Sequence, residues 1–410
     1  MTRFDAALAA LAGAVGTEEP PGFAEWRRLF AHDAPDPARL YALHTLVALA
    51  ARVAVAAAVP ALRARLAGPA RLGWLHDDAS FAAAGLANFP GATPFDAMAQ
   101  AAAVPPEALE TLISALAAAP PRPDLYQHLV PPALRHALGE VYTPPRLAGH
   151  ALDRLGWGPG DELLDPTCGS GVFLVEALRR RMAAGLAPER LLAGLYGLDI
   201  NPLAVLAAKA ALAVTLAPAL DPARPVTLPV WQGSVFDHSV NVTIPRVGFI
   251  AGNPPWLKAS RLPAGEAEML KPLCRTLGLT GDDRYVGGIE IDLSALVTHA
   301  ALARWLKPGG ATRLLPHRLA VLHRRRPGLP PFRPARTHRP LPGAGGGGFQ
   351  SPGAVRGRLG PSGAAAAGGG RGADPLAGAL AHSRPRGRRA RTAGRAGAGR
   401  RRRPLAQGVD

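Results

Sequence analysis

The sequence predicts an α/β protein with a doubly wound sheet, preceded by an all-helical N-terminal region. Two observations carry that expectation and a third bounds it. From Leu138 onward, short apolar runs suited to buried strands alternate with helical stretches, the rhythm of a parallel sheet wound by helices on both faces. Before that point, residues 1–137 are rich in Ala and Leu at helical spacing, punctuated by Pro and Gly clusters, with no strand-like alternation. Beyond Gly310 the composition narrows to Arg, Gly, Pro and Ala, Ile and Tyr vanish, and no periodicity survives. The 410 residues therefore divide into a helical accessory domain over 1–137, an α/β core over 138–310 and a low-complexity tail over 311–410.

Helices are expected at 4–15, 38–66 and 106–118 in the first part. The stretch 46–62 is apolar, but it is Ala-rich and interrupted by Arg52 and Pro60. It reads as a buried or partner-facing helix, and no membrane contact is expected. In the core, strands are expected at 162–164, 195–198 and 248–251, with helices over 172–182 and 202–216.

Composition excludes several function classes. At 48% apolar, the chain can bury a sizeable core. Two cysteines, Cys168 and Cys274, build neither a disulfide framework nor a CxxC metal site, and the N-terminus lacks a secretory pattern, so a reducing cytoplasm is expected. The twelve His show no HExxH-type spacing, and no metal is expected. The net charge of +17 resembles a nucleic-acid signal, but its distribution says otherwise. Residues 311–410 hold 21 Arg against two acids, a surplus of nineteen, which leaves the first 310 residues two charges negative. The excess sits in the tail and says little about a docking face on the core.

Three motifs carry chemistry. In the first, the run Leu163-Leu164 ends in Asp165-Pro166-Thr167-Cys168-Gly169-Ser170-Gly171 and then opens a helix. Gly169 and Gly171 let the backbone approach a ligand, and the helix start offers free N–H groups. No GKS or GKT follows and GxGxxG does not fit, which argues against a P-loop and a dinucleotide site. In the second, Tyr196-Gly197-Leu198-Asp199-Ile200-Asn201-Pro202, an acid ends a strand and is placed to accept both ribose hydroxyls of a nucleoside. In the third, a strand runs into Asn253-Pro254-Pro255-Trp256. The prolines fix the backbone, so the Asn side chain and the Pro254 carbonyl can hold both hydrogens of one amino group, and the aromatic ring can stack on a flipped base.

The order Gly139-Glu140-Val141-Tyr142-Thr143-Pro144-Pro145, DPTCGSG, GLDINP, NPPW resembles the amino-methyltransferases that act on adenine in DNA, in particular restriction-modification enzymes whose cofactor motifs come first. The resemblance covers residues 125–310 and implies a Rossmann-like methyltransferase sheet with S-adenosyl-L-methionine as cofactor. It implies that Tyr142, Thr143 and Pro144 contact the methionine part, that Asp165 lies near its amino group with Gly169 and Gly171 in the turn, and that Asp199 binds the ribose while Ile200 packs near the adenine ring. It makes Asn253, Pro254, Pro255 and Trp256 the catalytic tetrapeptide. It also implies DNA as partner, with the target adenine flipped, and a specificity or restriction subunit. Ile291-Asp292-Leu293-Ser294 resembles a later segment that shapes the pockets.

The chain departs from the family at three points. Trp256 stands where Tyr is commoner. Ser234, in Gln232-Gly233-Ser234-Val235-Phe236-Asp237, stands where an Asp is common, leaving Ser234 and Asp237 as candidates for the cofactor's adenine. The later strands and target-recognition part have no counterpart in 311–410. Cys274 follows Leu273 rather than Pro, which argues against a cytosine C5 nucleophile. The motifs leave open an RNA base amino-methyltransferase, a protein-glutamine methyltransferase, and an inactive remnant that binds cofactor only.

The tail is either a basic disordered segment or the product of a frame shift near Gly310 in a GC-rich gene. The abrupt change within a strand-like run favours the shift. Translation of the coding DNA in all three frames checks this: another frame is expected to continue with apolar strands, and frames that stop or turn to noise would make the Arg-rich tail genuine.

Overall fold

A computed structural model describes residues 12–13, 19–20, 22–31, 36–67, 73–96, 143–236, 244–256, 270, 272 and 293–315. The helices expected at 4–15 and 106–118, together with Tyr142, Asp237, Cys274, Ile291 and Asp292, lie outside these residues, as does the tail beyond Leu315.

Among the described residues, the helices of eight or more residues are α1 (Phe23–Phe30), α2 (Pro37–Ala58), α3 (Pro145–Leu155), α4 (Val172–Ala183), α5 (Pro202–Leu216) and α6 (Leu293–Trp305). The strands are β1 (Leu163–Asp165), β2 (Leu195–Asp199), β3 (Val230–Gln232), β4 (Val247–Gly252) and β5 (Leu306–Leu314). They form one parallel sheet in the order β3-β2-β1-β4-β5. This is the Rossmann-like, doubly wound architecture expected from the sequence. β5 continues past Gly310 to Leu314, so residues 311–314 form part of the sheet.

Alternation along the strands splits the interior in two. Leu163 and Leu195 point into one core, with α4, α5 and the N-terminal helices; Leu164, Leu198 and Ile250 point into the other, with Leu296, Val297 and Trp305 of α6. α5 begins where Asn201 accepts a hydrogen bond from Leu203 N (3.0 Å), with Pro202 in its first turn. It is apolar all round because α2 packs along its outer side. α2 begins on Asp36, which accepts from Arg39 N (2.9 Å), and stops before Pro60. Two described helices, Pro37–Ala58 and Pro202–Ala219, are long and apolar enough to cross a membrane. The most apolar window of the first is wholly buried inside the protein, as the sequence predicts for 46–62.

The N-terminal region also bonds to the chain leading into β3, the strand at one end of the described sheet. Ala87 N donates to Val226 O and Val226 N to Gly85 O (both 2.9 Å), while the Asn88 amide pairs in both directions with the backbone of Leu228 (2.9 and 2.8 Å). These bonds satisfy the chain entering β3, which would otherwise present an open edge. Behind them, the buried Arg52 on α2 pairs with Asp96, whose other oxygen accepts from Thr93 N (2.6 Å).

Arg181 on α4 is 2% exposed and, among the described residues, forms no ion pair with a carboxylate. Its guanidinium instead donates to the carbonyls of Asp161 (2.7 Å), Arg190 (3.1 Å), Leu191 (3.2 Å) and Ala193 (2.6 Å), tying the loops that lead into β1 and β2. Burial, with the nearby Arg190 charge, lowers its pKa below the ordinary guanidinium value. Charge-assisted bonds of this kind contribute about 1.5–3 kcal/mol each. Arg181→Ala should therefore lower unfolding stability by at least about 3 kcal/mol. A urea midpoint within error of wild type would remove the clamp from the fold's energetics.

Candidate active site

Because all five strands are parallel, the residues that follow β1, β2 and β4 emerge along one edge. The order reverses between β1 and β4, where doubly wound sheets open a crevice. Asp165 ends β1 and is 1% exposed; its Oδ1 accepts from Thr167 N (3.2 Å). The neighbouring strand must present glycine there: a Cβ at Gly252 would collide with this carboxylate. Gly252 has no role in the sequence reading, although it directly precedes the tetrapeptide.

The turn after β1 locks onto β2. Cys168 N donates to Leu198 O (2.9 Å) and Gly169 N to Asp199 Oδ2 (2.8 Å), while Asp199 Oδ1 accepts from Asn201 N (2.9 Å). Gly169 has φ +52° and faces open space. Gly171 has φ +83°, and a side chain there would press on Ala208 of α5. The two glycines thus differ: one leaves room for a ligand, the other lets two helices approach.

Electrostatics mark the same place. Burial pushes the Asp165 carboxyl well above the ordinary carboxylate range, and the nearby Asp199 adds to the rise. Burial also raises Asp199, opposed by the backbone N–H groups it accepts from. Cys168, between them in the turn, is pushed up by burial and by both acids, which makes it a poor nucleophile. Thr167 Oγ1 is buried and, among the described residues, has no hydrogen-bond partner. A buried carboxyl at Asp165 beside the half-buried Asp199, an unsatisfied hydroxyl and an open glycine suit a ligand with cationic and polar groups.

Among the described residues, the large apolar side chains left exposed are Leu147, Ile200 and Trp256. Ile200 follows β2 and Trp256 follows β4, so both stand at this edge as sequence-predicted contacts. Leu147, in the first turn of α3, was not identified from the sequence. The indole Nε1 of Trp256 donates to Leu315 O (3.2 Å), and Leu315 N donates to Gly252 O (3.0 Å). Pro254 is buried and Pro255 half-buried beneath it. Asn253 Nδ2 donates to Thr143 Oγ1 (3.1 Å) across 110 residues. Thr143 is 5% exposed, and Pro144 caps α3 without a side-chain bond. Ser234 follows β3 in the strip beside Ile200, where Gln232 Nε2 donates to Ile200 O (3.4 Å); its Oγ accepts from Phe236 N (3.2 Å). Leu293 and Ser294 begin α6 in the core behind the sheet.

The raised carboxyls make a pH dependence. A group that binds its proton more tightly when folded adds stability below its unfolded pKa, about 4 for Asp, and loses that contribution as pH rises through the folded value. Asp165→Asn removes one such group. The stability of this variant relative to wild type should therefore increase as pH rises from about 4 to about 8. Urea unfolding across that range checks it, and a pH-independent difference would exclude a raised Asp165.

A family model described as UPF0020, RMKL-like, methyltransferase domain, matches residues 132–279, the stretch that holds the turn, Asp199 and the tetrapeptide. A search of curated sequences gives no match. Similar solved structures include TrmN from Thermus thermophilus, at 26% identity and TM-score 0.28 over 46% of this chain and 42% of that one. Another is a modification subunit of a putative type I restriction enzyme from Vibrio vulnificus YJ016, at 16% identity and TM-score 0.41 over 75% and 71%. A third is DrdV in complex with DNA, at 17% identity and TM-score 0.47 over 76% and 33%. The chain spans less than half the length of the first and third. Fold, site and family model together support an S-adenosyl-L-methionine-dependent methyltransferase domain over the matched stretch, residues 132–279.

Proposed function

We propose that this domain transfers a methyl group to the N6 amino group of adenine in DNA, as part of a restriction-modification system with a specificity or restriction subunit as partner. The observation that carries the reading is the position of Asn253-Pro254-Pro255-Trp256 at the end of β4, one strand away from the Asp165 turn. S-adenosyl-L-methionine supplies an electrophilic methyl group on a sulfonium when bound.

The chain's residues hold and orient. Asp199 accepts from the ribose hydroxyls, and Asp165 with Thr167 faces the ammonium end, where a cation offsets the cost of the two neighbouring carboxyls. Thr143 and Pro144 line the methionine side, with Tyr142 preceding them. Ile200 offers an apolar face to the purine, and Ser234 stands in the strip beside it. On the acceptor side, Asn253 Oδ1 and the Pro254 carbonyl accept both hydrogens of the adenine amino group, directing the nitrogen lone pair at the methyl group. Trp256, exposed and tethered through its indole N–H, stacks on the flipped base. Catalysis then rests on positioning. The upstream Thr143-Pro144-Pro145 segment favours DNA over an RNA base amino group as acceptor, and an assay on both nucleic acids separates the two.

Transfer of labelled methyl groups to DNA and RNA, followed by nucleoside analysis, should yield N6-methyladenine from DNA. Asn253→Ala should abolish transfer and leave cofactor affinity within about threefold; wild-type turnover in this variant would sink the assigned role. Asp199→Ala should weaken cofactor binding by at least about tenfold, since it removes a charged acceptor; unchanged affinity would take Asp199 out of the site.

A further inference from the structure

Thr143 and Asn253 meet although nothing in their spacing links them. Thr143 stands two residues before α3, whose buried face of Ala148, Gly149, Ala151, Leu152 and Leu155 packs toward β4 and β5. That docking brings the 5% exposed Thr143 hydroxyl to 3.1 Å from the Asn253 Nδ2 atom, which donates to it. A primary amide has a donor end and an acceptor end. An amide that is to receive a hydrogen from an amino group must present its carbonyl oxygen, so its NH2 end has to be held elsewhere.

We propose that Thr143 is a positioning residue for Asn253: its hydroxyl oxygen holds the Nδ2 end and thereby selects the amide rotamer that presents Oδ1 to the acceptor amino group. The inference rests on the reading of Asn253 as the orienting amide, and it gives Thr143 a role distinct from contact with the methionine part of the cofactor. Turning the amide over would place two donors against a donor amino group. Loss of the Thr143 hydroxyl weakens the hold on Nδ2, and that non-productive orientation becomes more accessible. The cost falls on the rate of transfer, because the geometry of the acceptor nitrogen is lost while the cofactor turn around Asp165 and Asp199 is untouched.

The test uses the full chain with Thr143→Val, which keeps the shape and removes the hydroxyl, and Thr143→Ser, which keeps the hydroxyl. Single-turnover methyl transfer should fall by at least about tenfold in Thr143→Val and return to within about threefold of wild type in Thr143→Ser. The affinity for S-adenosyl-homocysteine, measured by calorimetry, should fall by far less than the single-turnover rate in Thr143→Val, which keeps the methyl group that lines the methionine side, and should stay within about twofold in Thr143→Ser. Retained transfer in Thr143→Val, or lost affinity with the single-turnover rate intact, would overturn the proposal. A readout independent of activity comes from chains labelled at asparagine. The Asn253 side-chain amide resonances should shift and exchange faster with solvent in Thr143→Val, and unchanged resonances would overturn the contact itself. If the wild type transfers no methyl group to DNA or RNA, the functional reading fails, while the amide resonances still decide whether Thr143 holds Asn253.

Discussion

The Asp165 carboxylate is buried where the strand order reverses, and the surrounding residues have to accommodate it from every side. β4 can pass beside it only because Gly252 carries no side chain. The turn that follows donates one backbone N–H to it and another to Asp199 on the next strand. Burial raises the proton affinity of both acids, and Asp199 adds to the rise at Asp165. An arrangement that disfavours two negative charges in isolation becomes favourable when a cation shares the space. The glycine that accommodates Asp165 is also the residue before Asn253, so one packing constraint fixes both the cofactor turn and the start of the tetrapeptide.

The helical N-terminal region contributes to the same interior. Residues of α2 lie in one apolar cluster with α4 and α5, and the 85–88 segment bonds to the chain entering β3. α5 carries no polar face, so removing α2 would expose an apolar surface that the sheet cannot cover. The family match begins at residue 132 and therefore leaves out a layer on which the fold around the site leans.

β1, β2 and β4 were legible because each is a short apolar run that stops at an acid or at Asn-Pro-Pro, and α4 and α5 follow as periodic or Ala-rich segments with clear starts. β3 was missed because Val230-Trp231-Gln232 is too brief to show alternation. β5 was only partly visible, as a strand-like run cut by the change of composition at Gly310, because Pro308, Gly309 and Gly310 carry little strand signal. On the outermost strand of the described sheet they are tolerated, because one side of the ladder has no partner there. The candidate site was legible wherever a motif lies on consecutive residues. Thr143 against Asn253, and Asp165 against Gly252, were beyond reach because tertiary packing, not spacing, brings them together.

Trp256 draws its orientation from an unexpected direction. Its indole N–H is held by the carbonyl of Leu315, the residue after the end of β5, and Leu315 in turn hangs from Gly252. The ring that faces outward at the site is thus hung from the rim of the sheet and not from its centre. A phenol, whose only donor sits at the tip of the ring, could not reproduce this side-on tether, so tryptophan is here a hinge pin as well as a stacking surface. The orientation of the Trp256 ring is therefore inherited from how the outermost strand finishes.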